Sequence, residues 1–188
     1  MTSAVFLAVV LSAGSTEGQP PTDRERSLKA FATILSVLKS PRCLNCHPSD
    51  DVPHQGDEQR LHGMGVERGA DDHGGPVQPC STCHQTANHS LANVPGAPRW
   101  GLAPRSMAWL GKSDFEIARR LLDLSTNGGR TPAQLVRHLG TDPLVLWAWS
   151  PGPGRQLPPV GLDQWRRTLQ VWLETGAAIP LPPSSARP

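Results

Sequence analysis

The sequence predicts an all-α fold of short helices separated by long irregular loops, and three observations point there. Apolar residues recur at helical spacing in several separate stretches, each opened by a helix-start signal. No stretch sustains the alternation of apolar and polar residues that marks a half-buried strand. The 18 glycines and 20 prolines are numerous enough to break the chain often, yet stay below the share, roughly 25–30%, of a low-complexity chain.

Taken in order, residues 4–11 form an apolar run too short to span a bilayer, and Ser12, Ala13, Gly14 and Ser15 follow as small residues do at a signal-peptidase site. Residues 1–15 are therefore expected to be a signal peptide, although the first basic residue is Arg24 and the usual positive start is missing. Residues 16–22 read as a linker. Thr22 and Glu25 make a capping-box pair, and Leu28, Phe31, Ile34, Leu35 and Leu38 continue at helical spacing, so a helix is expected over 23–40, stopped by Pro41. Residues 48–79 are rich in Gly, Asp, His and Pro and read as loop, and a loop that long needs an organiser such as a cofactor. Residues 85–105 are again irregular. Ser113 with Glu116 opens a helix expected to end at Asn127-Gly128-Gly129, and Thr131-Pro132 with Gln134 opens one that stops at Gly140. Asp142-Pro143 starts a turn through Trp149. A last helix is expected over 162–175 with Gly176 past its end, and 180–188 form a flexible tail. The folded domain is thus placed at 23–179.

Composition excludes several classes. The 188 residues carry 18 Lys and Arg against 16 acids, with no basic block, so no nucleic-acid footprint is present. No later stretch reaches the ~18 apolar residues of a membrane span, and no cysteine follows the small residues to carry a lipid. A soluble, exported, periplasmic protein is expected. There is no G-x-S-x-G, no phosphate loop and no evident pair of acid/base carboxylates.

The four cysteines carry most of the chemistry. They form two pairs, Cys43-Leu44-Asn45-Cys46-His47 and Cys80-Ser81-Thr82-Cys83-His84, each with a histidine directly after it. C-x-x-C-H is the attachment signature of a c-type haem. Two thiols three positions apart on one helical turn reach the two vinyl groups on one porphyrin edge, and the following imidazole, His47 or His84, meets the iron from the proximal side. Two covalent haems are therefore expected. A structural zinc site is the first alternative, but zinc ribbons separate their pairs by about 15–20 residues, fewer than lie between Cys46 and Cys80, and zinc gives no reason for histidine after both pairs. Disulfides in an oxidising compartment are the second alternative.

For the sixth iron position the candidates are His54, His62, Met64, His73, His89, Met107 and His138. His62 lies beside Met64 and Val66 in a loop that must wrap a haem, and Met107 follows Pro104 in a loop before a helix; these two are the first choices. His138, beside Leu135 and Leu139, is the reserve. His54, His73 and His89 lie in polar loop and are expected in solvent. The six tryptophans are read as packing for helices and haem edges.

With these motifs the chain resembles the periplasmic dihaem cytochromes c. The ending Trp172-Leu173-Glu174-Thr175-Gly176-Ala177-Ala178 is similar to the C-terminal helix of small cytochrome c domains, which crosses the helix preceding the first attachment site. Leu61-His62-Gly63-Met64-Gly65-Val66, Pro95-Gly96-Ala97-Pro98-Arg99-Trp100 and Met107-Ala108-Trp109 resemble a dihaem group labelled as cytochrome subunits of molybdenum hydroxylases or aldehyde dehydrogenases. The resemblance implies single-electron transfer, with a dehydrogenase or another cytochrome as redox partner. A dihaem peroxidase-like enzyme is the alternative, although no distal acid/base constellation is recognisable, and a zinc or disulfide scaffold is the remaining one.

Overall fold

The computed structural model describes residues 20–182. The expected signal peptide, most of the linker and the end of the tail lie outside the described residues. Six α-helices occur among them, α1 (Asp23–Leu38), α2 (Pro41–Leu44), α3 (Asp114–Leu122), α4 (Pro132–Thr141), α5 (Pro143–Leu146) and α6 (Leu162–Glu174), with short 3-10 turns between. The fold is mostly helical with long loops. The only extended pairings among the described residues are one isolated bridge, His89 with Val94, and two antiparallel ribbons of two-residue strands, β1 (His54–Gln55) with β2 (Arg60–Leu61) and β3 (Gly74–Gly75) with β4 (Gln78–Pro79). Strands this short bury no face, so they leave no alternation in the sequence.

Three helices begin as their residues dictate. Thr22, Ser113 and Thr131 each cap with the hydroxyl while Glu25, Glu116 and Gln134 return a bond to the cap backbone, completing three capping boxes. Helix α3 stops earlier than expected, at Leu122. Asp123 turns into the extended region there, and its carboxylate accepts from the backbone and hydroxyl of Ser125. Asn127, 2% exposed, then donates to the carbonyls of Leu121 and Arg130, so Asn127-Gly128-Gly129 forms a turn anchored by one buried side chain rather than more helix. Helix α6 ends in a Schellman motif: the Ala177 and Gly176 backbone nitrogens donate to the Trp172 and Leu173 carbonyls, with Gly176 at φ +93°.

The core lies where α1 and α6, the first and last helices, pack together. Phe31 and Trp172 hold ring centroids 5.4 Å apart, and Ile34, Leu38, Leu121, Leu135, Trp165 and Leu169 are almost wholly buried around them. Ser27, 0% exposed, bridges the helices at their ends: its hydroxyl donates to the Trp172 carbonyl and accepts from the Ala178 backbone nitrogen at 2.8 Å. Ser27→Ala strands both partners, and an unsatisfied buried group costs about 1–3 kcal/mol. A lower urea midpoint with unchanged slope is the expected result, and an unchanged midpoint would remove the bridge from the account.

Candidate functional site

Each Cys-x-x-Cys-His segment is a single helical turn introduced by proline. Pro41 occupies the first turn of α2, Cys43 follows in it, and the turn runs on through backbone bonds from Cys46 to Cys43 and from His47 to Leu44. Pro79 precedes a 3-10 turn over Cys80–Thr82, and the Cys83 and His84 nitrogens both donate to the Cys80 carbonyl. In both segments the turn brings thiols three positions apart onto one side.

The two histidines have the same surroundings. His47 gives Nδ1 to the Met107 carbonyl at 2.6 Å and stacks on Trp109, with centroids 3.4 Å apart and planes within 7°. His84 gives Nδ1 to the Pro95 carbonyl at 2.7 Å and stacks on Trp100, at 4.6 Å and 9°. A carbonyl can only accept, so the ring proton is on Nδ1 and the lone pair is on Nε2, as a metal-binding imidazole requires. Burial pushes His47 down to about 4 and lowers His84, so both rings stay neutral. Burial also pushes the Cys43 thiol up to about 12 and Cys46 up to about 11, unlike the low-pKa thiolates of redox Cys-x-x-Cys enzymes.

Two cavities open in front of these segments. The first, about 510 Å³, is lined by Cys43, Cys46 and His47, with His138, Leu139 and Trp165 among its other walls. The second, about 410 Å³, is lined by Cys80, Cys83 and His84, with His54, His62 and Met64. Both are in the size range of cofactor sites. Arg42, Cys46, Gly101, Leu102 and Trp147 line both, so the cavities share a wall. A more open hollow of about 600 Å³ is lined by His84 and Trp100 with Asp71, His73, Ser81 and Arg99, and has no pair of thiols.

The structure places the sixth-position candidates unequally. His62 faces His84, their ring centroids 6.0 Å apart and 69° inclined, with its Nδ1 on the Gly63 carbonyl. His138, on α4, lines the His47 cavity and turns Nδ1 towards Asp142 Oδ2 at 3.4 Å. Met107 is buried and also lines the His47 cavity, and its backbone carbonyl accepts from Nδ1 of His47, the ring edge away from Nε2. Met64 reaches the second cavity but is 79% exposed. His73 is tied to the Trp100 carbonyl, and His89 accepts from the Ala92 backbone in an exposed turn. His54 departs from the sequence expectation of a solvated residue: the β1–β2 ribbon folds it onto the second cavity, where its Nε2 is buried without a partner.

The donor set fits haem at both positions: paired thiols, a neutral imidazole with Nε2 free, and a second imidazole on the cavity. No group of three or more His, Cys, Asp or Glu suited to a bare metal ion is gathered among the described residues, so a zinc site built on the four cysteines gains no support. The chain matches no family model, no curated protein and no solved structure.

Proposed function

We propose that this protein is an exported dihaem c-type cytochrome, a single-electron carrier or the electron-transfer subunit of a periplasmic dehydrogenase, exchanging electrons with that enzyme or with another cytochrome. The observation that carries the reading is the duplicate arrangement of His47 and His84, each after a thiol pair, each with Nδ1 on a carbonyl and one face on a tryptophan, each opening on its own cavity. Bound haem would supply a one-electron couple at each position.

The remaining chemistry belongs to the chain. Cys43 with Cys46 and Cys80 with Cys83 provide the covalent attachment. The carbonyls of Met107 and Pro95 fix each ring's tautomer and rotation, the second-shell function that keeps an axial imidazole basic and aligned. Trp109 and Trp100 cover one face of those rings and exclude water. His62, on the second cavity with its ring 6.0 Å from that of His84, would suit the sixth position on the His84 side. His138 suits it on the His47 side, with Asp142 holding its Nδ1. If held by His84 with His62 and by His47 with His138, the two groups would keep no open coordination position, which favours a carrier over a peroxidase-like enzyme.

The test is a pyridine haemochrome assay with intact mass on full-length protein made in a host that matures cytochromes c. Two haems per chain, retained through acid–acetone extraction, with low-spin spectra insensitive to cyanide, are expected. The apo mass without a Soret band would sink the reading, and a high-spin component that binds cyanide or peroxide would replace it with the peroxidase-like enzyme.

A further inference from the structure

The wall between the two cavities contains a charge that neither attachment site uses. Arg42 directly precedes Cys43, is 5% exposed and lines both cavities. One terminal nitrogen meets Asp57 Oδ1 at 2.5 Å, and its Nε is buried with no partner. The guanidinium carbon lies 6.0 Å from the ring centre of Trp147, another member of the same wall. Asp57 is half-buried and also accepts from the Gln156 backbone nitrogen, so its charge is divided between two donors.

Charge around the two cavities differs. The His84 cavity is lined by Arg42, Arg60 and Arg155, with no Asp or Glu among its described lining residues. The His47 cavity sets Asp71, Asp72 and Asp142 against Arg42, Arg99 and Arg130. Burial chiefly, and then the neighbouring Arg42 charge, lowers the pKa of Arg155, which marks crowding of cations on the His84 side. A buried cation with a free donor edge is unfavourable unless it meets negative charge.

We propose, on the reading of the protein as a two-haem electron carrier, that Arg42 is a positioning residue shared by both redox centres: its free edge takes a propionate carboxylate of the group held at His84, and its charge favours the reduced state on both sides of the wall. Each centre gains one electron from a reduced partner protein, which loses one. The charge of the centre falls by one unit, and no bond or proton at Arg42 changes. Buried charges are screened weakly, so one guanidinium in a common wall acts on both neighbours, whereas Arg60 and Arg155 act on the His84 side only.

Potentiometric titration of the full two-haem protein, with dithionite as reductant and ferricyanide as oxidant, tests this. The single-haem Cys80→Ala, Cys83→Ala protein identifies which step belongs to the His47 centre. In Arg42→Gln both midpoints are expected to fall, each by about tenfold in the reduced-to-oxidised ratio at fixed potential, or about 59 mV for a one-electron couple. Arg42→Lys keeps most of the potential because it keeps the charge. Arg155→Gln moves only the His84 centre. Asp57→Asn raises both midpoints, and its sign decides the matter should Arg42→Gln fail to fold. Two haems with midpoints unmoved in Arg42→Gln, a shift confined to one centre, or a fall in Asp57→Asn would overturn the role of Arg42. Absence of haem from the wild type overturns the functional reading as well, so the two failures are distinguishable.

Discussion

Cys80→Ala with Cys83→Ala is expected to yield a folded protein with one covalent haem, whereas Cys43→Ala with Cys46→Ala is expected to yield no cooperatively folded protein at all. The difference follows from what surrounds each cavity. Walls of the first include Leu38 of α1, Leu121 of α3, Leu135 and Leu139 of α4 and Trp165 of α6, all members of the main core. Left unfilled, a cavity of about 510 Å³ among these side chains takes packing contacts from every helix of the main core, and the cost of such a loss grows with the volume left unfilled, so the helices around it would collapse or flood. The second cavity is walled largely by the loops around Pro53, His62, Gln78 and Pro153, which can disorder without opening the core. Intact mass, thermal melting by far-ultraviolet circular dichroism and limited proteolysis within 48–79 check the pair. A cooperative melt in Cys43→Ala, Cys46→Ala equal to that of the wild type would refute the argument.

His138→Ala is expected to turn the His47-side haem high-spin and open to cyanide, with added imidazole restoring the low-spin spectrum, while Met107→Ala leaves that spectrum unchanged. Both residues line the cavity, but His138 turns its Nδ1 towards Asp142 and carries an imidazole there, whereas Met107 meets His47 through a backbone carbonyl that Met107→Ala keeps. His62→Ala should do the same to the His84-side haem. Were histidines to hold both sides of each iron, the two centres would lack the rise in potential that a methionine ligand gives, and no sulfur-to-iron band is expected in the far red. Such a band in the wild type, abolished by Met107→Ala, would reverse the assignment. Optical spectra and electron paramagnetic resonance of the three variants decide between these outcomes.

Local rules made much of this fold legible. Thr22 with Glu25, Ser113 with Glu116 and Thr131 with Gln134 state three helix starts in the sequence itself, and Gly176 states the end of α6. The end of α3 was less legible, because the bonds that stop it come from Asn127 folding back on Leu121, a contact periodicity cannot express. The two Cys-x-x-Cys-His segments were readable because their residues are contiguous. Their partners were not: the Met107 carbonyl is 60 residues from His47, and the same loop setting that suggests a methionine ligand also suits a carbonyl acceptor. His54 was misplaced for a related reason, since only the ribbon pairing it opposite Leu61 shows that its ring is turned inward.

The bridge from Ser27 to Trp172 and Ala178 joins positions 145 and 151 apart in the chain, and that separation fixes an order of assembly. The chain is made from its N-terminus, so both thiol pairs exist before α6 does. Until residues 162–174 arrive, α1 has no partner for Phe31, and the first cavity lacks its Trp165 wall. Contacts this distant also bear the largest loop-closure penalty and form late. The clasp between the two ends of the chain therefore closes last, leaving a window in which the proposed attachment at Cys43, Cys46, Cys80 and Cys83 would precede the sealing of the core.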